Sequence, residues 1–243
     1  MSAKVDLPYY SGQPVAISPA GWSLVVAAVV AAFLLLVLLP FPSPPLDFIP
    51  AILFTGLPLV ALMAVTGWRA PAIFGRLGIK EVGLGLGFGV LTIIVSGIIG
   101  FAVANLIGAS ANPAVEGLQA IGTVDLVLFL ARTLVQLIGE EVVSILPLLA
   151  VLWFCVSRLG LSRRLGLIIG VVVSTLWFAA MHLPTYNWNF LQCLGIIGSA
   201  RVVLTLAYLF TRNIWVSSIA HIFNDWALFL TSFALGHLPI GEG

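Results

Sequence analysis

Long apolar runs broken by short polar stretches dominate the chain. A helix needs about 20 predominantly apolar residues to cross the roughly 30 Å hydrocarbon layer of a bilayer. Runs of about that length are Trp22 to Leu39, ended by Pro40 and a proline-rich loop, and then a shorter one from about Ala51 to Val65. A third, Gly83 to Ile107, is rich in glycine (GLGLGFG, then GIIG). No strand precedes these glycines, so close helix packing through small residues explains them better than a phosphate loop. The longest polar connection, GASANPAVEGLQAIGTVD, follows. Leu126 to Val156 is too long for one upright helix, so it is either strongly tilted or a surface helix leading into a span. The remaining runs are Leu165 to Met181, Phe190 to Phe210 and Ile214 to Phe233. The pattern predicts an all-α polytopic transmembrane bundle of about seven spans. Residues 1–115 supply the first three helices and their loops, and residues 116–243 the four that carry the unusual polar groups.

Composition agrees. Of 243 residues, 61% are hydrophobic and only 8% charged, with a mean hydropathy of +1.18. Soluble domains carry roughly 25% charged residues; ten basic and nine acidic side chains cannot solvate a globule of this size. A net charge of +1 argues against nucleic acid as a partner, because that ligand needs a basic surface to displace its counterions. Basic residues mark cytoplasmic loops. Lys4, the group Arg69, Arg76 and Lys80, the group Arg158, Arg163 and Arg164, and Arg212 all fall on one side if the N-terminus is cytoplasmic and the C-terminus outside. The opposite loops hold Asp47, Glu116 and Asp125 without a Lys or Arg. The polar N-terminal stretch followed by a full-length apolar run reads as a retained first span. Cys155 and Cys193 stand alone in apolar runs and read as small buried hydrophobes.

Seven ionisable residues remain inside the spans: Arg132, Glu140, Glu141, His182, Arg201, His221 and Asp225. Each costs about 2.5–3.5 kcal/mol at the bilayer centre on insertion scales, so such groups face the bundle interior and find partners. Interhelical ion pairs and snorkelling ends would account for them without function, and Arg132 is placed to reach the outer interface. A shared polar cavity is the functional alternative. His221 and Asp225 are four apart and share a helix face, as do Phe178 and His182. Glu140 and Glu141 point about 100° apart, so one aims at a given centre while the other packs or pairs elsewhere. A carboxylate with two imidazoles can activate a water and hold a developing oxyanion; it is equally a zinc-ligand inventory.

The order Glu140-Glu141, then Phe178-Ala-Ala-Met-His182, then His221-Ile-Phe-Asn-Asp225, each inside an apolar helix, resembles the CPBP family of intramembrane proteases. That family holds the CAAX prenyl endopeptidases and the bacteriocin-processing or self-immunity proteins, and the resemblance covers roughly residues 120 to 230. It implies a metal-independent glutamate peptidase of a prokaryotic plasma membrane. Glu140 with His182 would activate water, His221 with Asp225 would stabilise the oxyanion, and Glu141, Phe178 and Arg201 would support them. No cofactor is expected, zinc being the disfavoured option. Partners would be membrane lipid and a membrane-associated peptide or protein substrate. Two positions depart from the family pattern: Ile145 stands where an arginine follows the glutamate pair, with Arg132 or Arg201 as stand-ins from elsewhere, and Asp225 stands where asparagine is common. Those departures suit the alternative of a catalytically inactive scaffold or accessory subunit of a membrane complex. A small transporter or proton relay using the same groups is disfavoured, because no paired halves are evident.

Overall fold

A computed structural model describes residues 6–39, 41 and 43–238; Lys4 and Pro40 of the sequence reading lie outside them. The described residues form helices without strands. These are α1 (Pro19–Leu38), α2 (Phe48–Val65), α3 (Ile79–Ile107), the short α4 (Pro113–Gly117), α5 (Thr123–Ser157), α6 (Arg163–Met181), the single turn α7 (Phe190–Gln192), α8 (Gly198–Thr211) and α9 (Ile214–Gly236), with a π-helical turn (Cys193–Ile197) joining α7 to α8. Starts follow local capping chemistry. Ser18, Ser162 and Asn213 each accept a backbone N–H in the first turn of α1, α6 and α9, satisfying donors that a helix start leaves orphaned.

Among the described residues six helical stretches are long and apolar enough to cross a membrane: α1, α2, α3, α5, α6 and Phe190–Thr211. The 23-residue α9, about 34 Å long at 1.5 Å per residue, also runs through the bundle, but His221, Asn224 and Asp225 lower its hydropathy. The chain is therefore a multi-span integral membrane protein. The ambiguous fourth run resolves as one continuous 35-residue helix that carries Pro147 internally and is buried continuously from Gly139 to Ala150.

Two packed groups make up the bundle. In one, α1, α2 and α6 surround α5; in the other, α3, α8 and α9 pack together; contacts of α5 with α9 and of α6 with α8 join them. Small residues set the close approaches. A Cβ on Gly139 would lie 2.8 Å from the Phe54 ring, and Thr55 of α2 donates to the Val135 carbonyl of α5 at 2.8 Å, so α2 clamps α5 just before its glutamate pair. A Cβ on Gly85 or Gly89 would meet Ile219 at 2.6 Å or Phe223 at 2.8 Å, so the glycines of α3 are where α9 packs closest.

The basic connections gather at one end. There Arg163 donates to Asp6 at 2.5 Å, the Ala72 N–H donates to the Tyr9 hydroxyl at 2.6 Å, and Asn213 donates to the Arg76 carbonyl at 2.7 Å. At the other end Arg132 lies 3.4 Å from Asp47, Asn112 donates to the Tyr186 hydroxyl at 3.2 Å, and Gln192 holds both backbone groups of Ser110 at 2.8 and 2.9 Å. Arg132 thus sits with an aspartate of the connection at the end opposite the basic ones, as an arginine near a span end does.

Candidate active site

Where the two helix groups meet, α5, α6, α8 and α9 each turn one polar position inward. Glu140 and Glu141 are both buried on α5, Glu141 completely. Arg201 of α8 is fully buried beside them, and His221 of α9 is 4% exposed. His182 forms the C-terminal cap of α6 rather than lying within the helix. Asp225 follows one turn after His221 and is half-buried.

The roughly 100° divergence of the glutamates separates them into two environments. Arg201 grips Glu141 with two parallel bonds, Nη1 to Oε1 at 2.7 Å and Nη2 to Oε2 at 2.8 Å, while its Nε donates to the Thr205 hydroxyl at 3.1 Å. This forked geometry is the strongest form of carboxylate pairing and suits a buried charge, because it matches each oxygen with its own donor. The same Oε1 accepts from Nδ1 of His221 at 2.9 Å. Arg201 therefore occupies the role that the absent arginine at position 145 leaves open, and Ile145 is simply a buried apolar side chain. Arg132 is engaged with Asp47 and is not the stand-in.

Glu140 faces the other way. Its Oε1 accepts from Gln136, one turn earlier, at 3.1 Å. Its Oε2 lies 3.6 Å from Nε2 of His221 and 3.9 Å from Nε2 of His182. Helix packing brings both imidazoles within 4 Å of one carboxylate oxygen. Nδ1 of His182 lies 2.8 Å from the Phe178 carbonyl, which only accepts, so that nitrogen carries the proton. Nδ1 of His221 is likewise the donor toward Glu141. In the neutral rings both Nε2 atoms are then acceptors directed at the Glu140 carboxylate, and three converging acceptors form a site for a small donor such as water. Phe178 closes the cluster from the side. Its ring lies 4.7 Å from that of His182, edge-on to His221 at 5.9 Å, and 5.2 Å below the Arg201 guanidinium.

Asp225 Oδ1 is 3.8 Å from Nε2 of His221 and accepts from the Asn224 side chain at 2.8 Å. Asn224 leaves its helix about 100° away from Asp225, yet its amide swings back to the same cavity. That cavity, of about 450 Å³, is lined by Phe178, His182, His221, Asn224 and Asp225 and by Tyr186 from the connection after α6. Among the described residues no group of three His, Cys, Asp or Glu side chains is arranged to hold a metal ion. Sequence reasoning passed over Gln136 and Thr205 and set Asn224 aside as pointing about 100° away from Asp225. The i, i+4 spacing of Gln136 and Glu140, and of Arg201 and Thr205, was the available signal for two of them.

Residues 122–227 match the family model described as "Rce1-like: Type II CAAX prenyl endopeptidase Rce1-like". No curated protein matches the chain, and no solved structure does. The matched segment contains all of the buried cluster, Glu140 to Asp225, and over that stretch the chain is similar to this CAAX-type membrane protease family.

Proposed function

We propose that the protein is an intramembrane endopeptidase in which Glu140 is the general base for hydrolysis of a peptide bond in a membrane-associated substrate. The observation that carries the reading is the convergence of two imidazole nitrogens on one Glu140 oxygen, 3.6 and 3.9 Å away, beside a cavity large enough for an extended peptide segment. In this scheme a water bound among the three acceptors gives a proton to Glu140 as its oxygen adds to the scissile carbonyl carbon. His182 shares that proton. His221 orients that water through Nε2, held in place by Glu141 at Nδ1, and the Asn224 amide on the same wall donates to the oxyanion. Glu140 then passes its proton to the leaving amine nitrogen, so that water and amide become carboxylate and amine. An ionised Asp225 would repel the oxyanion if it faced it directly. Its role here is to hold Asn224 and orient His221.

One observation favours the second reading, a scaffold that has kept the fold without the chemistry: aspartate rather than asparagine at position 225. The same experiment decides between them. Newly exposed protein N-termini are compared in membranes carrying the wild type or Glu140→Gln, and His182→Ala is measured beside them. General-base loss lowers cleavage at least about 100-fold while both variants still insert. Cleavage that persists in both would leave the scaffold reading standing.

A further inference from the structure

We infer that the catalytic cavity is entered from the side of the membrane opposite the basic connections, so that its substrate is a membrane-anchored peptide segment presented at the non-cytoplasmic face. The inference rests on the peptidase reading for the word substrate, but its geometry stands without it.

The cavity has a closed end and an open end. Toward the basic end the first residue of α9 that lines it is His221, seven residues from the helix start at Ile214 and so about 10 Å above it. Beneath, Gly85 presses α3 against Ile219, and Ile214, Val216, Ser217 and Ser218 are buried. No residue of the connections 66–78, 158–162 or 211–213 lines the cavity. Toward the other end it takes in Asn112 and Tyr186, both from connections beyond the spans, and on α3 it reaches Gly97, where a Cβ would meet nothing within 4 Å. Alongside, Leu228 is 52% exposed and lines the same cavity. Its wall is therefore open sideways to lipid as well as upward to water, which suits a chain already anchored in the bilayer.

Charge assigns the two ends to the two faces. Arg69, Arg76, Lys80, Arg158, Arg163, Arg164 and Arg212 flank the closed end, whereas the connections at the open end, 108–122 and 182–189, hold Glu116 and no Lys or Arg. The excess of Lys and Arg in cytoplasmic loops then sets the open end outside. A peptide released in the cytoplasm would meet packed helices rather than His182.

Labelling of single cysteines tests this without any substrate. Cys155 and Cys193 are both buried and are replaced by alanine. Cysteines are then introduced one at a time as Glu116→Cys on the exposed outer connection, Tyr186→Cys at the cavity mouth and Arg158→Cys at the basic end. A membrane-impermeant maleimide is applied to intact cells and to permeabilised ones. Positions 116 and 186 are expected to react in intact cells as fully as after permeabilisation, and position 158 only after it. Reaction of position 158 in intact cells, or of position 116 only after permeabilisation, would overturn the orientation. Reaction at 116 with none at 186 would overturn the entry route, with Asn112→Cys as the second mouth position if Tyr186→Cys fails to accumulate. Adding Glu140→Gln leaves the pattern unchanged, so a failed peptidase reading and a failed access reading give different results.

Discussion

The same two chemical groups, a carboxylate and a guanidinium, are paired at opposite extremes of this molecule. Glu141 and Arg201 meet at the centre of the bundle with both side chains fully buried, whereas Asp6 and Arg163 meet at the basic end with side chains 40% and 44% exposed. The exposed pair can dissolve into water at little loss. The interior pair cannot, because separating it leaves a bare charge among apolar helices. Burial also decides what each pair does for its neighbours. Glu141, fixed by two bonds, in turn fixes Nδ1 of His221 and with it the nitrogen that faces Glu140. Asp6 fixes only the N-terminal segment, through Arg163, Tyr10 and the Leu7 N–H.

The largest effect is expected from breaking the interior pair on one side only. Arg201→Met or Glu141→Gln should destabilise the bundle by about 3–5 kcal/mol, as removal of one member of a buried pair does. The combined variant Arg201→Met with Glu141→Gln should recover most of that, since no unpaired charge remains. Equilibrium unfolding in mixed micelles measures both; equal losses in single and combined variants would show that packing, not charge, holds the two helices there. In the combined variant cleavage should still fall about 10–100-fold, the range for residues that orient a histidine through its second nitrogen.

Arg132 and Asp47 fall between the extremes, 25% and 18% exposed and 3.4 Å apart. Asp47→Asn should cost about 1 kcal/mol, the upper part of the range for partly solvated pairs, and leave cleavage unchanged because the pair ties α5 to the α1–α2 connection rather than to the cavity. A loss as large as that at Arg201 would mean that burial does not grade these pairs.

The grading also shows what could be read before the fold was known. Glu140-Glu141, Phe178 with His182 and His221 with Asp225 were legible because each group is local, set by helical spacing within an apolar run. The partner of Glu141 was narrowed only to Arg132 or Arg201: Arg201 is 60 residues away on another helix, and position 145, where helical spacing directs attention, holds Ile145. The continuity of α5 was equally hidden, since apolar length alone does not distinguish one continuous 35-residue helix from a surface helix followed by a span. The seventh span was legible by length although its own polar residues lower its hydropathy, which is the usual conflict where a spanning helix carries a site.

The smallest effect belongs to the exposed pair, and its sign can be worked out. Partial burial pushes the Asp6 carboxyl up. The hydrogen bonds from Arg163, Tyr10 and the Leu7 N–H, together with the Arg163 charge, outweigh that and bring it from the ordinary 3.8 down to about 2. A carboxyl whose folded value is depressed contributes stability that is complete above its unfolded value and disappears as the pH falls through the folded one. The Asp6 contribution should therefore be constant above pH 5 and fade between about pH 4 and pH 2. With two-fifths of the side chain exposed, its size stays below about 1 kcal/mol, and salt should weaken it in part, because solvent ions reach both charges. Asp6→Asn should abolish the fading and the salt response together, measured as unfolding midpoints at two pH values and two ionic strengths. A full-size response to salt at Arg201 instead would reverse the ranking of the two pairs, since a pair with no exposed surface has no ions to screen it.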